Sequence, residues 1–392
     1  IDKEGYLTKY SYTKQGDLSR ILYGDGREAR FKYNPLRQLE RVEDWLGATQ
    51  IVNDALGRAE RVTYPDGKEV GYTYGKAGER RSLTYPDGRT VSYGYDEEIR
   101  LSELKEGDAV IRYGYDGKGR LTEKIFPNGM NTGYEYDARG QLISLTHIDR
   151  EGILDKYTYK YDLLGNKIEI QKQRRGFTEE SGIYEYNYDP LGRLERVSKD
   201  QAVQKNYAYD AFGNRILMID SDYKTVYTYN NMNQLLSKDD ESGEEIYSYD
   251  KRGNLRQILK NGQVQQKYQY GTLNRLEQST NQKGEITKYF YNGLGYRIGK
   301  QVREEKLPNL VKQIQYTIDY TKEYHNLLQE EENQHIRMYL WDGNVAGLVD
   351  EEKEGHQYYF QDDIGSVIRL TDAKGNVTDS YGYDEFGQDL YK

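Results

Sequence analysis

A tyrosine pair returns along this chain at a nearly constant interval, and that interval limits the folds open to it. With the second tyrosine of each Tyr-x-Tyr, or its equivalent, as marker, copies fall at positions 12, 33, 53, 74, 95, 115, 136, 161, 188, 209, 229, 249, 270 and 291. Successive markers lie 20 or 21 residues apart, apart from two longer intervals of 25 and 27. A fixed period of this size marks a repeat architecture, in which one unit is too small to bury a core alone and must stack on its neighbours.

The content of the unit is β. Tyr, Val, Ile and Thr alternate with polar residues, and Gly, Asp and Asn hold constant turn offsets. In the copy Tyr113-Gly-Tyr115-Asp116-Gly-Lys-Gly119-Arg-Leu121, the two tyrosines share one strand face, Asp116 and Gly119 turn the chain, and Leu121 begins the return strand. Equivalent sets are Tyr134, Tyr136, Asp137 and Gly140; Tyr186, Tyr188, Asp189 and Gly192; and Tyr207, Tyr209, Asp210 and Gly213. A second turn follows about ten residues on, as at Pro65-Asp-Gly67 and Pro127-Asn-Gly129. Such dipeptides supply the positive-φ positions of tight hairpins.

The departures are orderly. Ile51 and Asn53 replace the tyrosine pair in one copy, yet Asp54 to Arg58 keep the turn; another reads Asp96-Glu-Glu-Ile99 and lacks its glycine. The longest interval holds an insertion, Gln171 to Gly182, which reads as an extended hairpin tip or surface loop, with Arg174 and Arg175 as solvated surface. Fourteen two-strand repeats predict about 28 strands, more than the roughly ten that a twisted open sheet tolerates. The predicted fold is therefore all-β: a long spiralling antiparallel sheet of hairpins that closes into a hollow shell or barrel.

Mean hydropathy is −1.00 and only 36% of residues are hydrophobic, values that drift toward disorder. The 42 tyrosines reverse that inference, because they supply buried surface where Leu and Val are scarce, each with a hydroxyl that tolerates water. A net charge of −9 argues against nucleic acid or an anionic membrane as the main partner. There is no cysteine for a disulfide or thiolate metal site, and no apolar run of membrane-spanning length. Ile1-Asp-Lys-Glu is no signal peptide, and both ends fall in mid-pattern, as in a fragment of a longer protein.

The pattern changes after residue 300. Arg303-Glu-Glu-Lys-Leu-Pro308 is a charged break, Lys312 to Tyr320 reads as a strand, and His325 to His335 reads as a short helical turn or a loop before the strand Ile336 to Trp341. The expected division is a repeat array over 1–300 and a terminal segment over 301–392 that continues the same shell and caps the array.

These repeats resemble the RHS or YD-repeat family, which includes bacterial polymorphic toxins, toxin-complex C components, cell-wall-associated proteins and teneurins. The terminal motifs Gln315-Tyr-Thr-Ile-Asp-Tyr320, Asn326-Leu-Leu328, Tyr339-Leu-Trp-Asp-Gly343 and Asp363 to Asp372, then Gly375-Asn376 and Tyr381 to Gly387, are similar to the RHS-associated core. The corresponding core-motif positions are Gly365, Arg369, Asp372, Gly375, Tyr383, Asp384 and Gly387. The resemblance implies a shell around a variable C-terminal toxin polypeptide, secreted or held at the bacterial cell surface, with other shell or secretion components as further partners. In several members an aspartyl autoprotease follows the core; the segment that would carry it and the toxin lies beyond Lys392, so this stretch is expected to be non-enzymatic.

No catalytic, cofactor-binding or metal site is expected from the residues. Asp372 and Asp384 could be imagined as an acid pair, but each sits in a turn where its natural role is to cap its own backbone. The four histidines, 147, 325, 335 and 356, are scattered, and the glycines are turn residues with no phosphate-loop spacing. Two further readings stay open: an adhesion or glycan-binding module in which exposed tyrosines stack sugar rings, and an autoprocessing enzyme.

Overall fold

A computed structural model describes residues 1–304, 311–322, 326–352 and 355–391. Among the described residues thirty-five strands form one sheet, and the helical content is a single 3₁₀ turn, Thr178–Glu180. Strand after strand pairs with the next in sequence, antiparallel, so the chain advances hairpin by hairpin.

The repeat sequence explains the hairpin. Strand Ala109–Tyr115 pairs with Leu121–Ile125, Arg112 opposite Ile125 and Gly114 opposite Glu123, and the register then slips so that Tyr115 faces Leu121. The slip falls at the second tyrosine in copy after copy. It follows from the turn: Asp116 N–H donates to the Arg120 carbonyl at 2.9 Å, Gly119 N–H donates to the Asp116 carbonyl at 2.9 Å, and Gly119 takes φ +81°. This is a type I turn closed by a glycine bulge, which adds one residue to one strand and raises its twist. The Pro-Asp-Gly turns repeat the construction, with Tyr64 N–H to the Lys68 carbonyl at 2.8 Å and Gly67 at φ +84°. Ile99 occupies the glycine position at φ +63°.

The chain divides into two compact units. The first comprises Ile1–Tyr93, Tyr247–Leu340 and Asp350–Glu352, the second Gly94–Ile246, Trp341–Val349 and Lys353–Lys392. Within each unit an early tier of hairpins meets a later tier. In the first, Ala29, Phe31 and Val42 form a core to which the later tier adds Leu294. In the second, Leu145, Tyr157 and Tyr159 bury together with Ile368 of the later tier, and Tyr186, Val197 and Tyr207 form a further cluster.

Three expectations need correction or placement. His335 opens the strand His335–Trp341 directly after the strand Leu327–Glu332, so the stretch before it is a hairpin and not a helical turn; His325 lies outside the described residues. Residues 305–308 of the charged break also lie outside them. The insertion is no simple surface loop, and Arg174 is not solvated: it is 4% exposed at the end of the strand Lys167–Arg174, because two carboxylates draw it inward.

Candidate functional site

The repeated surface of this wall is its chemistry, and it has two kinds of joint. The first binds each repeat to the next. Tyr115 Oη donates to the Leu101 carbonyl at 2.8 Å, Tyr136 to Leu121 at 2.9 Å, Tyr188 to Lys167 at 2.7 Å and Tyr209 to Leu194 at 2.7 Å, in each case the first residue of a strand one repeat upstream. The second tyrosine thus spans the sheet with its ring and satisfies a carbonyl at the bulge with its hydroxyl.

The turn acids secure the opposite direction. Asp116 Oδ1 accepts from the backbone N–H of Lys118 at 2.9 Å and of Arg120 at 3.0 Å, and Oδ2 accepts from the Arg120 guanidinium at 2.7 Å. The Arg120 N–H and guanidinium, together with Lys118 N–H, hold the Asp116 carboxyl down at a pKa of about 2. Arg120 then donates to the Asp137 carbonyl of the next repeat at 3.0 Å and lies 4.7 Å above the Tyr136 ring. Asp189 and Arg193 repeat the arrangement toward Asp210 and Tyr209. Asp137 caps Gln141 and Asp210 caps Phe212 and Asn214. Gly140, Gly192 and Gly213 close these turns at positive φ.

The second kind of joint binds tier to tier, and the first tyrosines take part. Tyr113 donates to Asp342 Oδ2 at 2.7 Å, and Lys124 meets the same carboxylate at 2.8 Å. Burial pushes the Asp342 carboxyl up, but Lys124 and the donated hydrogen bonds outweigh it and leave the acid below its ordinary range. Arg80 binds Asp319 at 2.7 Å, and Lys167 binds Asp363. Tyr207 donates to Glu385 Oε2 at 3.3 Å, and Lys205 reaches Asp384 and Glu385. Tyr134 packs against the cluster of Leu145, Tyr157, Tyr159 and Ile368, and Tyr186 is buried beside Val197 and Tyr207.

The core-motif residues fall into the later tier of the second unit. Arg369 is 3% exposed and grips Asp155 with two N–H bonds of 2.8 Å, while Arg174 approaches Asp155 at 3.2 Å and Glu180 at 2.5 Å. The Phe177 ring lies close to both guanidiniums, 5.0 Å from Arg174 and 4.6 Å from Arg369. The insertion is therefore the dock on which the terminal hairpins sit. Asp372 caps Lys374 and Asn376, and Asp384 caps Phe386 and Gln388. Gly365, Gly375 and Gly387 have positive φ, and Tyr383 pairs by an isolated bridge with Asp389. Tyr383, Asp384 and Gly387 also line a cleft of about 390 Å³ with Lys172, whose ammonium is disfavoured by burial, and Asp362, whose carboxyl burial pushes up.

Sequence reasoning gave no role to Asp155, Glu180 or His147; Asp155 and His147 are buried in strands, and Glu180 lies half-buried in the 3₁₀ turn. The signal available was an acid inside the apolar run Ile153 to Tyr159. His147 is 1% exposed, with Nδ1 2.9 Å from the Thr132 hydroxyl and Nε2 3.0 Å from the Gln361 carbonyl. The carbonyl can only accept, so Nε2 carries the proton and Nδ1 accepts from Thr132. Among the described residues no group of three or more His, Cys, Asp or Glu converges as a metal site, and no helix is long and apolar enough to cross a membrane.

Comparison with known proteins places these features. The chain is 25% identical over 311 residues to the tRNA3(Ser)-specific nuclease WapA of Bacillus spizizenii, covering 74% of this chain and 12% of that protein. It is 25% identical over 277 residues to the double-stranded DNA deaminase toxin A of Burkholderia cenocepacia, covering 68% and 17%. In structure it resembles the TcdB2-TccC3-TEV crystal structure, with a TM-score of 0.66 at 14% identity over 97% of this chain and 24% of that one. It spans less than a quarter of the length of each of these relatives. The family description Teneurin YD-shell matches residues 3–162 and 148–392, and with nearly the whole length so matched, the chain belongs to the Teneurin YD-shell family.

Proposed function

We propose that this chain is a stretch of wall in an encapsulating shell, which encloses a C-terminal toxin polypeptide in a secreted or cell-surface bacterial protein. The carrying observation is that one segment is shared by a relative named as a tRNA nuclease and another named as a DNA deaminase toxin. Two such different chemistries in longer proteins point to a common role for the shared part that is structural, with activity in other regions. The local chemistry supports this: tyrosine hydroxyls, turn acids and arginines are spent on repeat-to-repeat and tier-to-tier bonds. On this reading residues 1–300 are the repeat array, and 301–392 a core-like terminal segment continuous with the same wall, non-enzymatic itself. Glycan stacking is the weaker reading, since arginines already cover faces of Tyr74, Tyr115, Tyr136 and Tyr209.

The test is protease protection in the native full-length protein. A passenger downstream of this wall should resist digestion until the wall is unfolded. A passenger that is degraded as fast as the same polypeptide made alone would overturn the reading.

A further inference from the structure

Four tier joints among the described residues share a plan that is left open at Arg297. In each of the four a cation lies over, or close beside, the first tyrosine of a pair and a turn of the later tier covers it; in three the turn brings the cation an acid, and in the fourth it gives the acid to the tyrosine hydroxyl and a neighbouring lysine. Arg80 sits 5.0 Å over Tyr72 and takes Asp319; Lys124 sits 5.7 Å over Tyr113 and takes Asp342; Lys167 sits 5.0 Å over Tyr159 and takes Asp363. At Tyr207 the cation above the ring is Arg215, at 5.6 Å. There the turn supplies Glu385 to the hydroxyl and to Lys205, and its next residue, Phe386, lies 4.2 Å from the guanidinium.

Tyr289 and Arg297 hold the positions of Tyr72 and Arg80 in their own repeat. Arg297 lies 5.7 Å over Tyr289 and 5.8 Å over Tyr316 of the following strand, much as Arg215 lies over both Tyr207 and Tyr227. Among the described residues Arg297 has no carboxylate partner, and it is exposed. It borders an open cleft of about 730 Å³ within the first unit, lined also by Arg275, Lys300, Tyr316 and Glu330. Glu330 is already engaged by the Tyr339 hydroxyl at 3.0 Å and by Arg337 at 3.6 Å.

We propose that the cleft at Arg297 is a docking socket for an acidic Asp-x-x-Gly turn presented by a second chain of the same repeat fold. Three cations around one committed acid ask for a negative partner, and two of the four covered joints, with the turns Asp362 to Gly365 and Asp384 to Gly387, give its form. It carries a carboxylate at the first or second turn position and, on the Phe386 precedent, an apolar residue beside the guanidinium. The cleft lies on the tier that covers Arg80, so the occupant would continue a seam already built inside this unit. The inference is independent of what the wall encloses.

The probe is a labelled synthetic peptide of residues 357–371, which contains the Asp362-Asp-Ile-Gly365 turn, titrated into the full chain by fluorescence anisotropy. Saturable binding is expected, weakened at least tenfold by Arg297→Glu in the chain or by Asp363→Lys in the peptide. The two changes combined should restore affinity, which a merely structural role for Arg297 would not do. Absence of saturation up to millimolar peptide would overturn the proposal. So would equal binding to the Arg297→Glu chain, or binding abolished by Lys167→Ala while Arg297→Glu has no effect, since the peptide would then be displacing its own copy.

Discussion

The Asn53 side-chain amide donates to the Leu39 carbonyl at 3.0 Å, in the place where other repeats put a tyrosine hydroxyl. What each repeat preserves is thus a donor at the bulge carbonyl, and the ring is one way of carrying it there.

That equivalence assigns a value to the hydroxyl. Tyr209→Phe keeps the ring under Arg193 and removes only the bond to Leu194. It should destabilise the second unit by about 1 kcal/mol, the usual net worth of one such bond. Urea unfolding of wild type and variant measures it; a loss below about 0.3 kcal/mol would show that water replaces the donor without cost.

Ile99 offers a gain. A β-branched residue at φ +63° is held in the left-handed region where its Cβ crowds the backbone, at a cost of about 1–2 kcal/mol. Ile99→Gly relieves this strain but gives the unfolded chain more freedom, worth about 0.5–1 kcal/mol in the opposite sense. The expected balance is a stabilisation of about 0.5–1 kcal/mol, visible as a higher hydrogen-exchange protection factor for the amide of residue 99, which donates to the Asp96 carbonyl.

His147 makes the second unit sensitive to acid. Burial is the main reason its pKa falls to about 4 from an ordinary 6.5, with Asp155 opposing the fall. Because the folded value is depressed, the unfolded chain takes up the proton first. This contribution is complete above pH 6.5 and is lost as pH drops toward 4, by at most about 3 kcal/mol. His147→Gln should flatten the stability curve of the unit between pH 7 and 4 relative to wild type. Parallel curves would refute the assignment.

Asp155 holds two guanidiniums that have almost no access to water. Asp155→Asn removes the carboxylate that Arg369 and Arg174 share, leaving Arg174 its ion pair with Glu180 and Arg369 only neutral acceptors, and should cost about 3–5 kcal/mol, in the range for a broken buried ion pair. Asp372→Asn, in an exposed turn of the same segment, should cost less than about 1 kcal/mol. Trypsin sensitivity of residues 366–391 in the two variants separates the cases: similar cleavage rates would contradict the docking role of the insertion.

What could be read in advance was local. The two turns, the alternation that turns both tyrosines to one face, and Gly119 or Gly140 at positive φ are all decided by residues within one repeat of each other. The tier joints were not legible, because Arg80 meets Asp319 and Lys167 meets Asp363 at separations of 239 and 196 residues. Those pairings depend on how many repeats make a tier, which no single repeat encodes. Arg174 was misjudged for the same reason: next to Arg175 it looks like surface, and only the arrival of Asp155 and Arg369 makes it core.

The bonds made by the second-tyrosine hydroxyls and the turn arginines, as at Tyr209 and Arg193, reach one repeat back and one repeat forward. A gene could therefore gain or lose a whole repeat and leave every such bond intact. The tier joints do not share this freedom, since one added repeat moves each acid past its cation by a full unit. Length in this wall is thus free to vary only where a compensating change occurs in the other tier, and the mosaic of acids and bases along the seam works as a tally of repeats.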